Sequence, residues 1–189
     1  MRIISGEKKG LPLKSVPGNT TRPTADKVKE SIFNMIGPYF QGGIMLDLYA
    51  GSGAIGIEAI SRGMDKVVFV DREKKAVETI YTNLNKAKLI DKAEVFRTDS
   101  NRALKAIKKK ERSFDFIFLD PPYAKENLIL ELLFIGEHDI LKNGGYIVAE
   151  HSSKVSIEDE QIVFKVIRQE TYGDTTVTIF SNAEEEDYE

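Results

Sequence analysis

The sequence predicts an α/β fold: a mainly parallel sheet with helices on both faces. Short β-branched or aromatic runs alternate with stretches of helical periodicity, and a glycine-rich loop follows the first core run and opens a helix. At the carboxyl end, two strand-like runs have no helix between them, which predicts an antiparallel hairpin closing the sheet edge.

Residues 1–43 read as a separate amino-terminal unit. RIIS and LPLKS flank GEKKG in the pattern of a small β-hairpin. In TRPTADKVKESIFNMIGP, Thr24 is placed as an N-cap, and Val28, Ile32, Met35 and Ile36 form one apolar stripe. Gly37-Pro38 stops that helix. The core, residues 44–182, carries strands expected at 44–49, 66–71, 93–99, 114–120 and 145–151. Helices are expected at 73–88, where Val77, Ile80, Tyr81 and Leu84 share a face, and at 103–110 and 127–133. The closing hairpin is read at 162–173 and 175–181, and residues 183–189 as a disordered acidic tail.

The composition narrows the function classes. The 189 residues suit one domain, with 41% hydrophobic and 30% charged residues, enough for a sizeable core. With no cysteine there is neither a disulfide nor a thiolate metal site, and with only His138 and His151 a histidine metal site is not expected. No apolar run has membrane-spanning length, and the start MRIISGEKKG lacks a signal-peptide core, so a cytoplasmic protein is expected. The net charge of −3 is uneven: the first 30 residues hold seven basic and three acidic residues, while the tail EEEDYE holds five acids. Such a basic arm can meet a polyanion, though lysines often simply face water.

In LDLYAGSGAIGIEA, Gly51, Gly53 and Gly56 match G-x-G-x-x-G. Glycine there lets a ligand lie against bare backbone, and the helix start offers free N–H groups. Asp71 ends the next strand 20 residues after Gly51, where dinucleotide folds place a ribose-binding acid. Asp47 stands four residues before Gly51, and Asp99 ends the third strand. A pyrophosphate would be repelled by Asp47, whereas a cationic amino-acid nucleoside suits a row of acids at three strand tips. S-adenosylmethionine is such a molecule, with Asp71 on its ribose and Asp99 on its adenine amino group. Each aspartate alone could equally be a helix N-cap.

FDFIFLDPPY ends the fourth strand in an aspartate, two prolines and a tyrosine. Each proline fixes its own φ and removes a donor, and the residue before a proline is held extended. The corner therefore offers acceptors only, the Asp120 carboxylate and nearby carbonyls, chiefly that of Pro121. Two such acceptors suit the N–H groups of an exocyclic amine, and Tyr123 can stack on a base plane. Read blandly, the same four residues are a turn.

Together, DLYAGSGAIGIEA, VFVDRE, RTDS and FIFLDPPY resemble the class I S-adenosylmethionine-dependent methyltransferases. MRIISGEKKGLPL and TRPTADKVKESIFNMI narrow the likeness to the RsmD family of bacterial 16S ribosomal RNA guanine-N2 methyltransferases. The resemblance spans about residues 1–181 and omits the acidic tail. It implies a Rossmann-like fold with a mostly parallel seven-stranded sheet, and S-adenosyl-L-methionine as cofactor. It places the cofactor among Asp47, Tyr49, Gly51, Ser52, Gly53, Asp71, Arg72, Asp99 and Ser100. Asp120, Pro121, Pro122 and Tyr123 become the catalytic corner that holds a guanine 2-amino group. The hairpin and the segment after it become the RNA-binding, cofactor-closing extension, with Arg2, Lys8, Lys9, Arg22, Thr24 and Lys27 as contacts. The implied partner is 16S ribosomal RNA or a small-subunit assembly intermediate, with no membrane and no metal.

LKAIKKKER adds a basic cluster, either a solvated helix face or a phosphate contact. Tyr172 is read as a packing residue that could border the target pocket. The alternatives are a DNA adenine or cytosine amino methyltransferase, a protein glutamine methyltransferase, and a nicotinamide-dependent oxidoreductase. The chain is short for a DNA target-recognition domain. Glutamine enzymes carry Asn where Asp120 stands, and an oxidoreductase leaves Asp47 and DPPY unexplained.

Overall fold

The structure, a computed structural model, describes residues 1–18, 24–122 and 125–183, with the side chains of 24, 25, 125 and 126 outside the description. Arg22, the Thr24 side chain, Tyr123 and residues 184–189 of the tail therefore lie outside the described residues. In chain order the elements are α1 (Thr24–Ile36), β1 (Ile44–Asp47), α2 (Ala54–Ser61), β2 (Lys66–Asp71) and α3 (Lys74–Ala87). There follow β3 (Ala93–Arg97), α4 (Ser100–Lys109), β4 (Phe114–Leu119), α5 (Lys125–Glu137), β5 (Leu141–Ser152), β6 (Lys165–Tyr172) and β7 (Thr175–Ser181). The sheet has seven strands in the order β3-β2-β1-β4-β5-β7-β6. It is the expected mainly parallel sheet, with antiparallel strands at its carboxyl end.

The chain divides into two compact units, residues 1–103 and 104–189. In the first, β1, β2 and β3 pair in parallel, with Asp47 beside Phe69 and Asp71 beside Arg97. Their apolar runs explain why: β2 is buried from Val67 to Val70, as a strand covered on both faces must be. Gly56 in α2 is a close-packing position. A Cβ there would lie 2.3 Å from the Phe69 ring, so only glycine lets the helix settle on β2. The buried face of α3 is Ala76, Thr79, Ile80, Asn83, Leu84 and Ala87. The expected stripe is thus rotated: Tyr81 is exposed and Asn83 is inside.

The expected amino-terminal hairpin is reduced to one isolated antiparallel bridge, Arg2 with Pro12. Ile3 N–H donates to the Leu11 carbonyl and Leu13 N–H to Met1, but Pro12 has no N–H with which to continue a ladder. What holds this arm is α2. Glu58 is fully buried (0% exposed), as are its partners Lys29 (4%) and Arg62 (3%). One carboxylate oxygen of Glu58 accepts the Ile4 N–H at 2.9 Å and lies 3.4 Å from Lys29 Nζ. The other accepts the Ser5 N–H at 3.0 Å and Arg62 Nε at 2.8 Å. Lys29 also donates to the Arg2 carbonyl, and Arg62 to that of Pro38, with its guanidinium 4.8 Å from the Phe33 ring centre.

In the second unit, β4 and β5 are parallel, from Phe114 beside Leu141 to Leu119 beside Ala149. A register shift between Phe114 and Phe116 accommodates the early start of β5, which the sequence reading placed four residues later. β7 pairs antiparallel with both β5 and β6, so β6 is the sheet edge.

Removing the central carboxylate strands two buried cations. Glu58→Ala is expected to destabilise the fold by about 3–5 kcal/mol, measured by urea denaturation, with residues 1–18 becoming the first site of limited proteolysis.

Candidate active site

Strand β1 delivers the chain into the glycine loop. Asp47, its last residue, is 1% exposed. The turn after it is closed by Ala50 N–H to the Val70 carbonyl and Gly53 N–H to the Ala50 carbonyl. Gly51 and Gly53 take φ of +56° and +82°, a left-handed backbone that residues with a Cβ rarely adopt. A Cβ on Gly51 would meet nothing within 4 Å, so the loop faces open space there. Gly53 caps α2 without any side-chain hydrogen bond, which leaves the first N–H groups of that helix uncapped by a side chain. An open, positively polarised helix start fits a carboxylate or other anionic end of a ligand.

Asp71, at the end of β2, ties this loop to its strand. One carboxylate oxygen accepts the Gly51 N–H at 2.9 Å, the other the Glu73 N–H at 2.9 Å. A carboxylate has about four lone-pair sites, so two remain to accept further donors. Asp99 does serve as the N-cap of α4: its Oδ1 accepts the Arg102 N–H at 2.9 Å, and its Oδ2 lies 3.4 Å from Arg102 Nε. Tyr49 donates its hydroxyl to Ser100 Oγ at 2.9 Å, which brings together two more residues of the expected cofactor set. Ser52 is half-buried, and Arg72 is exposed, with Glu73 at 3.2 Å. Gly51 against open space, with acids at the ends of β1 and β2 and just beyond β3, suits a cationic nucleoside better than a pyrophosphate.

In the second unit, Asp120 follows directly on β4, with Pro121 half-buried and Pro122 exposed. The register sets Leu119 beside Ala149, so Asp120 comes abreast of Glu150 on β5. Glu150 is half-buried in an otherwise apolar run. Burial and then the Glu150 charge push the Asp120 carboxyl up to about 7, and burial also raises Glu150. By surface area Asp120 is exposed, so solvent screens much of this rise, and the direction rests on the Glu150 carboxylate beside it as well as on burial. Sequence reading missed Glu150. Its signal was a charge interrupting a buried strand one residue beyond the Val148–Ala149 core.

Tyr172 lies half-buried on the edge strand and donates to Glu170 at 2.9 Å. Of the expected RNA contacts, Arg2, Lys9 and Lys27 are exposed, and Lys8 is half-buried beside Glu7 at 3.3 Å. Among the described residues no group of three or more His, Asp or Glu side chains is arranged to hold a metal ion.

A family model described as conserved hypothetical protein 95 matches residues 1–181. A Bacillus subtilis protein named "Putative rRNA methyltransferase YlbH" is 53% identical over 95% of this chain and 98% of its own. The ribosomal RNA small subunit methyltransferase D of Haemophilus influenzae is 32% identical over 96% of this chain and 94% of its own. Among solved structures, "Putative methyltransferase yhhF from Escherichia coli" matches with a TM-score of 0.82 at 25% identity, over 97% of this chain and 99% of that one.

The raised carboxyl makes stability depend on pH. Asp120 moves from 3.8 up to about 7 on folding, so its contribution is fully present below pH 3.8 and is lost as pH rises through about 7. In urea titrations from pH 4 to 8, Asp120→Asn is expected to gain stability over the parent chain as pH rises. Parallel midpoints across that range would contradict the shift.

Proposed function

The chain belongs to the family described as conserved hypothetical protein 95, and from that membership we propose that it methylates the 2-amino group of a guanine in small-subunit ribosomal RNA, with S-adenosylmethionine as methyl donor. The supporting observation is the acceptor-only corner at Asp120, which carries two prolines and a carboxylate at a strand's carboxyl end. Two relatives, at 53% and 32% identity over nearly the whole chain, bear ribosomal RNA methyltransferase names. The substrate is 16S ribosomal RNA, free or in an assembling small subunit, and the reaction belongs in the cytoplasm, where ribosomes are made.

Asp47, Gly51, Gly53, Asp71 and Asp99 would hold the cofactor, with Asp71 toward the ribose and Asp99 toward the adenine amino group. When bound, S-adenosylmethionine supplies a methyl group on an electrophilic sulfonium. The chain's own work is at the target nitrogen. An aryl amine is a weak nucleophile because its lone pair is delocalised into the ring. The Asp120 carboxylate and the Pro121 carbonyl accept its N–H groups and favour the localised lone pair. Alignment then supplies much of the rate. A proton leaves the nitrogen as the new bond forms, and Asp120 is the acceptor. With its carboxyl near neutrality, Asp120 both takes the proton and returns it to water. Tyr123 stacks on the flipped base in this reading. Arg2, Lys8, Lys9, Arg22, Thr24 and Lys27 contact the RNA from the arm and the start of α1, mostly through phosphates, which position without reading sequence.

Asp120→Ala is expected to lower methyl transfer to small subunits from a gene-deletion strain by at least about a hundredfold, while calorimetric affinity for S-adenosylhomocysteine changes little. Full activity in that variant would sink the mechanism. Mapping the methyl groups missing from the deletion strain tests the target, and an unchanged guanine-N2 profile would overturn it.

A further inference from the structure

Asn83 lies on the buried face of α3, which it shares with Thr79, Ile80, Leu84 and Ala87, at 0% exposure. A buried amide at such a place is costly unless its donors and acceptor are used. Here they are. Nδ2 donates to the Ser52 carbonyl at 2.9 Å and to the Lys14 carbonyl at 2.9 Å. Oδ1 accepts the Lys14 N–H at 2.8 Å.

One end of this bridge is the glycine loop. Ser52 stands between Gly51 and Gly53, both left-handed, so the peptide it belongs to has little conformational preference of its own. The other end is the amino-terminal arm, where both backbone groups of Lys14 are clamped by the same side chain. Glu58 fixes the near end of that arm at Ile4 and Ser5. The arm therefore reaches from α2 to α3, and its last fixed point shares an amide with the candidate cofactor loop.

We infer that Asn83 is a positioning residue that sets the Ser52 carbonyl of the glycine loop against the Lys14 backbone, so that arm order and cofactor affinity are coupled. The inference rests on the cofactor reading above and names a residue outside it. Without the bridge, the Gly51–Gly53 stretch must be ordered by the cofactor at a cost in affinity. Coupling is reciprocal: whatever orders the arm tightens the cofactor, and the cofactor orders the arm. An RNA held by the arm's cations would act through this contact.

The test uses the full chain and S-adenosylhomocysteine as the calorimetric probe, below the unfolding temperature of every protein compared. Asn83→Ala is expected to weaken binding at least about tenfold, and to raise the KM for S-adenosylmethionine while leaving kcat within about twofold. A purely structural role would lower the melting temperature and leave the affinity of the folded protein intact, which would overturn the inference. A parent chain that binds no S-adenosylhomocysteine would instead overturn the methyltransferase reading. If Asn83→Ala does not fold, amide exchange on the unmodified chain decides. S-adenosylhomocysteine is expected to slow exchange at Lys14 together with Gly53; slowing at Gly53 with Lys14 unchanged would refute the coupling.

Discussion

The amino-terminal third of this protein depends on one buried carboxylate. Glu58 has about four acceptor sites and four donors around it: the Ile4 and Ser5 amides, Lys29 and Arg62. Burying a charge is costly, and two cations around one anion would leave an excess. Asp26, 3.8 Å from Lys29, restores the balance. The arm has no ladder of its own, so this ionic knot substitutes for sheet pairing. It is also specific: each backbone amide it engages fixes where the arm crosses α2.

That placement matters because α2 begins at the glycine loop. The loop is held from three sides by groups with different origins. Asp71 holds the Gly51 amide from β2, Asn83 the Ser52 carbonyl from α3, and Ala50 closes the turn through the Gly53 amide. Left-handed glycines give the loop its shape, and these contacts give it one shape among the several that glycine permits. A cofactor cradle made of bare backbone has no side chains to stiffen it, so stiffness comes from neighbours.

At the other pole of the chemistry, the logic is subtraction. Pro121 and Pro122 remove donors from the corner after β4, and Glu150 adds negative charge beside Asp120. Both changes favour a group that brings hydrogens to the corner. Burial, and then the Glu150 charge, also make ionising Asp120 harder, which keeps its carboxyl close to the pH at which a proton can be taken and released. An aspartate without a carboxylate such as Glu150 beside it would be a weaker base, held nearer its ordinary value.

The sequence by itself determined the alternation of strands and helices, the glycine loop, the acids at Asp47, Asp71 and Asp99, and the DPPY corner. Those features are local: periodicity, turn residues and spacing along one strand carry them. It did not show that Asp99 caps α4, since capping and ligand binding ask for the same residue. Nor did it show that the arm forms only a single bridge. Glu58, Asn83 and Glu150 were invisible as functional residues for one reason. Each is a polar side chain at a buried or half-buried position, and, apart from Arg62 beside Glu58, its partners lie 20 or more residues away in sequence. Only tertiary structure decides whether such a residue is a misfit or a joint, because the burial that makes it costly also supplies the partners that satisfy it.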